Sequence, residues 1–386
     1  MFDRRLTEDF LRALEGVRRG RLTLTLPDGA SHVFEGSEPG PVAEFQIHDL
    51  RTIPAIAARA DVGMTEAYRD GWCDTPDLAR LLEFALVNED ELDRYIYGSR
   101  LQVLAVRALY LFNRNTRAGS RRNISAHYDL GNEFYALWLD ETMTYSSALY
   151  AQGDDLAGAQ RRKYDRIIDN LSGLSGRILE IGCGWGGFAE RAGQRGDFNL
   201  KGLTLSQRQA DYARRRLAGG EAEIALQDYR DEPGRFDHIV SIEMFEAVGE
   251  RYWPVYFGKL REALTDTGRA MVQTISVADR YFARYRKSAD MIRSFIFPGG
   301  MLPSPQRFED EAQRAGLRVE DVHAFGQDYA RTLREWLARF DARLPEIRAM
   351  GFDEGFIRVW RFYLAACEAS FTVGRTDVAQ YRLARA

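Results

Sequence analysis

The stretch Arg177–Glu190, RILEIGCGWGGFAE, decides how this chain is read. Its first half is a short apolar run ending in an acid, Glu180, and its second half has glycine at 182, 184, 186 and 187 before a helical pattern resumes at Phe188. That order spells a buried strand, a tight turn and the start of a helix. Glycines in such a turn let the backbone reverse sharply and let a ligand lie against bare peptide N–H groups. The string GCGWGG also satisfies the G-x-G-x-x-G dinucleotide fingerprint, which expects an acid about 20 residues further on to hold a ribose hydroxyl.

The next strand-like run, Asn199–Ser206 (NLKGLTLS), ends in Thr204 and Ser206 with no acid. The acids stand elsewhere, at Glu180 on the tip of the first strand and at Asp228 after a third run, Ile224–Tyr229 (IALQDY). S-adenosylmethionine has an ammonium, a sulfonium and an exocyclic amine but no phosphate. Carboxylates beside a glycine loop therefore suit it better than they suit a dinucleotide.

Outward from this loop, strand and helix patterns alternate. A helix is expected at about 156–171, followed by strand 177–181, helix 186–194, strand 199–205, helix 206–217, strands 222–226 and 236–242, helix 254–264 and strand 268–275. The alternation predicts an α/β fold with a doubly wound parallel sheet. Ligands in such sheets lie beyond the carboxyl ends of the strands, where Glu180, Thr204, Asp228 and Glu246 would gather.

Residues 1–111 read as a smaller α+β domain: a helical period over Met1–Arg19, a hairpin signal in Arg21–Phe34 around Pro27-Asp28-Gly29, a strand at Ala43–Ile47 and helical patterns after Ile53. Residues 112–122 read as a basic linker, within a segment that holds Arg107, Arg114, Arg117, Arg121 and Arg122. It is either a solvated charge run or a patch for anionic lipid headgroups. Residues 123–386 form the catalytic domain. Its insertion at Val277–Pro305 sets Arg280, Arg284, Arg286, Lys287 and Arg293 among Tyr281, Phe282, Tyr285, Phe295 and Phe297, the pattern of a lipid-facing amphipathic cap or of a lid packed on its own core. The helical stretch 333–371 carries Trp336, Phe340, Trp360 and Phe362 as a core face.

The 386 residues suffice for two domains, and a net charge of −4 gives no global case for nucleic-acid binding. Three scattered cysteines, at 73, 183 and 367, are too few for a disulfide framework or a zinc site and fit a reducing cytoplasmic setting. No run of 18 apolar residues occurs, so any membrane contact is expected to be peripheral.

Read together, AHYDLGNEFYALWLD, TYSSALY, LEIGCGWGG, GLTLSQRQ, LQDYRD, DHIVSIEMFEAVG and FIFPGGMLPS, in order from Ala126 to Ser304, resemble the cyclopropane-fatty-acyl-phospholipid synthase family. FYLAAC near the end and GMTEAYRDGWC at Gly63–Cys73 extend the match. The resemblance implies a class I methyltransferase with a Rossmann-like doubly wound sheet, transferring a methyl group from S-adenosylmethionine to a double bond of a phospholipid acyl chain. It places Gly182, Gly184 and Gly186 at the methionine part of the cofactor with Tyr145 and Ser146 closing over it, Thr204 and Gln209 by the ribose, and Asp228 and Tyr229 by the adenine.

The family's base is a bicarbonate ion, and the resemblance assigns its holders to Glu246, Tyr363 and the backbone of Ile275. Two further positions differ, because Ser147 stands for a cysteine and Gln273 for a histidine. Serine and glutamine still donate hydrogen bonds to an anion, yet neither changes charge with it, which makes Glu246 the natural alternative base. His127 is either a residue orienting the loop over the cofactor or a structural histidine. The expected product is a cyclopropane or a methylated, methyl-branched chain such as a furan fatty acid precursor, formed at the inner face of a membrane. The alternative acceptor is a small-molecule amine. The resemblance is compatible with a homodimer, for which the sequence shows no interface.

Overall fold

The computed structural model describes residues 2–92, 130–288 and 290–386. The described residues fall into two compact units: 2–92, 290–298 and 344–373 make the first, and 130–288, 299–343 and 374–386 the second. The boundaries expected at 111 and 122, the basic linker and His127 lie outside the described residues.

The first unit opens with a helix, Phe2–Leu14, and a four-stranded sheet of β1 (Arg19–Thr25), β2 (Ser31–Glu35), β3 (Glu38–Ile47) and β4 (Cys73–Asp74) in the order β2-β1-β3-β4. The Pro27-Asp28-Gly29 signal closes the antiparallel hairpin of β1 and β2: Leu26 N–H donates to Ala30 O at 2.9 Å, and the Asp28 carboxylate accepts from Ala30 N at 3.0 Å. Strand alternation turns Leu22, Leu24 and Phe34 into the core. Helices Thr52–Arg69 and Leu78–Val87 follow, the second capped by the Asp77 side chain, which accepts from Arg80 N.

The helix Glu354–Thr372 packs on both of these helices, although the sequence reading places it in the catalytic domain. Its apolar face carries Ile357, Trp360 and Leu364. Arg358 fastens it, donating to Cys73 O at 2.9 Å and to Tyr68 O, with its guanidinium 3.9 Å from the centre of the Tyr68 ring.

The second unit is built on β5 (Ser175–Ile181), β6 (Asp197–Thr204), β7 (Glu223–Leu226), β8 (Phe236–Ile242), β9 (Leu264–Val277), β10 (Leu317–Ala324) and β11 (Thr376–Arg385), in the order β10-β11-β9-β8-β5-β6-β7. The five strands from β9 to β7 are mutually parallel, as the alternation requires. β11 runs antiparallel between β9 and β10. Neither β10 nor β11 is signalled by the patterns above. β11 has consecutive buried residues, Val378 to Tyr381, rather than an alternating face, as a strand covered on both sides does.

Leu179, Ile181, Leu203, Ile239 and Val272 pack in one cluster with Phe245, Trp253, Tyr256, Phe257 and Phe308. Each such side chain removed from water contributes about 1.5–3 kcal/mol. This core holds the carboxyl ends of β5, β6, β8 and β9 in fixed register.

The insertion is less of an open cap than its sequence suggests. In the second unit, Phe282 of helix Asp279–Tyr285 stacks on Trp253 at 6.4 Å, and Arg286 pairs with Glu250 at 2.6 Å. In the first unit, Met291, Phe295 and Ile296 are buried and Arg293 pairs with Asp290 at 2.6 Å. Much of its apolar surface thus serves each unit's own interior. Among the described residues, no helix is long and apolar enough to cross a membrane.

Candidate active site

The chain leaves β5 at Ile181 and turns at Gly182, where the N–H groups of Gly182 and Cys183 donate to Leu203 O of β6 at 3.0 and 2.9 Å. Gly182 takes φ +85°, and a Cβ there would stand 2.9 Å from Met244 Cγ, so a side chain would have to force both the backbone and the neighbour. Gly186, at φ +84°, starts the helix Gly187–Arg195. Glu180, behind this loop, is buried, and its Oε2 has no hydrogen-bond partner among the described residues. Burial pushes its carboxyl well above the ordinary range, with Lys163 opposing the shift.

The remaining cofactor candidates lie on the same carboxyl edge. Thr204 ends β6 and donates from Oγ1 to Gln209 Oε1 at 2.9 Å; Ser206 caps the helix Gln207–Arg216 by accepting from Gln209 N. Asp228 follows β7, and its carboxylate is engaged by Arg230 through the backbone N–H and the guanidinium. Tyr229 is half-buried, edge-on to Tyr256 at 5.7 Å. Tyr145 sits in an aromatic wall with Tyr135, Trp138 and Trp336 at ring distances of 5.4, 5.5 and 5.4 Å. Ser146 is buried next to it, its Oγ accepting from Lys163 Nζ at 2.6 Å.

These residues fit S-adenosylmethionine. The loop has bare backbone where a Cβ would collide, and a buried carboxylate oxygen behind it has no donor among the described residues. The edge beyond β6 and β7 offers a hydroxyl, an amide and a carboxylate.

Beyond β8 and beside β9 lies a second group of acids. Glu246 Oε1 accepts from Thr274 Oγ1 at 2.9 Å and from the Ile275 N–H at 2.5 Å, while its buried Oε2 has no partner among the described residues. Burial raises its pKa to about 8, the nearby Glu243 raising it further and the Ile275 and Thr274 donors opposing. Gln273 and Ser147, both buried, are brought to the same place but turn to Glu243: Gln273 Nε2 and Ser147 N–H each donate to its Oε1 at 2.8 Å, and Ser147 Oγ donates to Ala148 O. Tyr329 donates to Glu243 Oε2 at 2.6 Å. Tyr363 lies in the first unit, buried edge-on to Trp360 and Phe297 at 5.5 and 6.0 Å.

Sequence reasoning missed Glu243 and Lys163. Lys163 is wholly buried, and burial lowers its pKa to about 7 against the pull of Glu243, Asp140 and Glu180. In the string RRKYDR it looks like one of a row of solvated cations. Glu243 had a usable signal, since it follows the carboxyl end of β8 much as Glu180 ends β5.

The family model described as mycolic acid cyclopropane synthetase matches residues 115–381. The tuberculostearic acid methyltransferase UfaA1 of Mycobacterium tuberculosis is 40% identical over 339 residues, 84% of this chain and 79% of that protein. The cyclopropane-fatty-acyl-phospholipid synthase of Escherichia coli is 34% identical over 361 residues, 91% of this chain and 89% of its own. Among solved structures, the mycolic acid cyclopropane synthase CmaA1, in complex with SAH and CTAB, superposes with a TM-score of 0.63 at 31% identity, covering 68% of this chain and 97% of that one. With the glycine loop, the parallel sheet and the buried acids in these positions, this chain belongs to the mycolic acid cyclopropane synthetase family and is an S-adenosylmethionine-dependent methyltransferase of that lipid-modifying group.

Proposed function

We propose that this enzyme methylates a double bond of an unsaturated fatty acyl chain carried by a membrane phospholipid, with Glu246 as the base, and that its product is a methylated unsaturated chain. The observation that carries this reading is the Glu246 carboxyl: one oxygen is anchored by Thr274 and Ile275, and the other is buried and unpartnered among the described residues. Bound at the glycine loop, S-adenosylmethionine supplies an electrophilic methyl group on a sulfonium.

The alkene π pair would form the new C–C bond as the bond from that methyl to sulfur breaks, its electron pair returning to sulfur, which would leave a positive charge on the acyl chain. Glu246 Oε2 then takes a proton from a neighbouring chain carbon, and the C–H pair restores an alkene. A carboxyl with a pKa near 8 holds that proton far better than an exposed one. The aromatic wall around Tyr145 excludes water and offers π-faces to the passing cation. The name of the 40% identical relative, a tuberculostearic acid methyltransferase, supports an acyl chain as acceptor.

Loss of the proton from the new methyl group instead would close a cyclopropane, a second reading favoured by the synthase of Escherichia coli that aligns over 91% of the chain. The two products have the same mass. Incubation with S-adenosylmethionine and vesicles of monounsaturated phospholipid, followed by proton NMR of the fatty acid methyl esters, separates them. A methyl group on a surviving alkene is the expected result. Strongly upfield ring protons would overturn the proposed product, and no incorporation at all would overturn the acyl acceptor. We place the enzyme peripherally at the cytoplasmic face of the membrane, because its acceptor resides there and Arg280, Arg284 and Lys287 form a basic segment of the second unit.

A further inference from the structure

The family resemblance gives Ser147 and Gln273 the task of holding a bicarbonate ion. In the fold the Gln273 side chain and the Ser147 backbone N–H are committed to a carboxylate of the chain itself, while Ser147 Oγ donates to Ala148 O. Glu243 Oε1 accepts from the Ser147 N–H and from Gln273 Nε2, each at 2.8 Å, and its Oε2 accepts from the Tyr329 hydroxyl at 2.6 Å. We propose that the Glu243 carboxylate is a built-in replacement for the bicarbonate, occupying the Gln273 amide, the Ser147 backbone N–H and the Tyr329 hydroxyl and leaving Glu246 as the enzyme's own base. This rests on the proposed function for the identity of the reaction, but not for the occupancy of the site.

Three features carry it. A glutamate carboxylate and bicarbonate present the same planar O–C–O with a delocalised charge, so one set of donors serves either. The donors are also oriented for it. Gln273 Oε1 accepts from Gln380 Nε2 at 3.0 Å, Gln380 Oε1 accepts from Arg166 Nη1 at 2.9 Å, and Arg166 is paired with Asp321 at 2.9 Å. That chain of bonds fixes which face of the Gln273 amide is donor, and it is the face turned to Glu243.

The backbone supplies the third. Glu243 has φ +48°, in the left-handed region that disfavours a residue with a Cβ, and its N–H is held by Gln273 O at 2.8 Å. A glutamate is thus retained where glycine would sit without strain, which points to work done by its side chain.

The charges close the site further. Glu243 interacts with Lys163 and the Tyr329 hydroxyl, and Glu246, with Tyr256 also near it, is close enough to feel its charge. Burial raises the Glu243 carboxyl, and the three donors with Lys163 oppose that, favouring the ionised acceptor that the hydrogen bonds require. A bicarbonate brought between Glu243 and Glu246 would meet a like charge and find its donors taken.

The test uses the full-length enzyme and its Glu243→Gly and Glu243→Gln variants. Melting temperature is read with bicarbonate against chloride at matched ionic strength, with neither cofactor nor lipid present. Wild type is expected to melt unchanged. Glu243→Gly, relieved of the strained φ and with its donors exposed, is expected to gain about 3 °C or more at saturating bicarbonate. Glu243→Gln keeps the shape without the charge, so it should gain nothing. Its kcat/KM profile should move its acid limb to lower pH, because Glu246 loses the neighbour that raises its proton affinity.

A bicarbonate-induced rise in wild type, or wild-type turnover that disappears in carbon-dioxide-depleted buffer and returns with bicarbonate, would overturn the proposal. A folded Glu243→Gly protein blind to bicarbonate would do the same. Should that variant fail to fold, wild type and Glu243→Gln still decide. Melting needs no acceptor, so failure to methylate acyl chains would sink the proposed function alone.

Discussion

In the proposed reaction Glu246 concentrates the proton transfer at one atom. Its Oε1 is fixed by two donors and its Oε2 is not, so substitution by glutamine keeps the shape and removes the basicity. Glu246→Gln is expected to lower kcat by about 10²–10⁴, with S-adenosylmethionine affinity by calorimetry nearly unchanged. Unaltered turnover would remove Glu246 from the mechanism. The pH dependence follows from the same group. As an acid whose pKa is raised to about 8 in the folded protein, it is mostly protonated below that pH and inactive as a base there. The kcat/KM of the wild type should therefore rise with pH up to about 8 and level off above it, a limb absent from Glu246→Gln. The positions of Glu246 in FEAVG, beyond β8, and of the glycines of GCGWGG, after β5, were legible because each follows a strand-like run in the sequence. Glu243 and Lys163 were not, because their meaning depends on partners such as Tyr329 and Ser146 that are far away in the chain.

At the scale of elements, strand ends carry the site and helices fasten it. The strands from β5 to β9 could be read because each pairs a buried run with a following turn or helix cap, as Ser206 does after β6. β11 could not, since its burial on both faces leaves no alternation. The helix Glu354–Thr372 shows the same limit: its apolar face is plain in the sequence, but not what it packs on. Arg358 makes that packing testable. Its side chain is 18% exposed and serves the carbonyls of Tyr68 and Cys73. Arg358→Ala leaves those acceptors without their charged donor and is expected to destabilise the first unit by about 2 kcal/mol in urea unfolding. A change within a few tenths of a kcal/mol would show that the contact is dispensable.

For the whole molecule, the question is how the proposed acyl acceptor is reached. No helix among the described residues is both long and apolar enough to cross a bilayer, and the proposed peripheral contact is adsorption through screened charge. Binding to anionic vesicles in a sedimentation assay is expected to exceed binding to neutral ones and to weaken as salt is raised. Equal binding to both at every ionic strength would reject that route. Arg286 and Arg293 should contribute little, being neutralised by Glu250 and Asp290, so replacing Arg280 and Lys287 is the sharper probe.

By itself the sequence determined the methyltransferase sheet, the glycine loop and the general position of the acids, because periodicity, turn residues and strand-end placement are local properties of the chain. It also exposed the departures at Ser147 and Gln273. Only the tertiary structure decided what Gln273 and the Ser147 backbone contact. Ser147, Gln273 and Tyr329 are separated by up to 182 residues, and their convergence on one carboxylate exists only once the carboxyl ends of β8 and β9 and the helix Gly326–Ala342 are brought together. The same is true of Lys163: in the chain it is one more cation, and only burial beside Ser146 and among acids makes it part of the site.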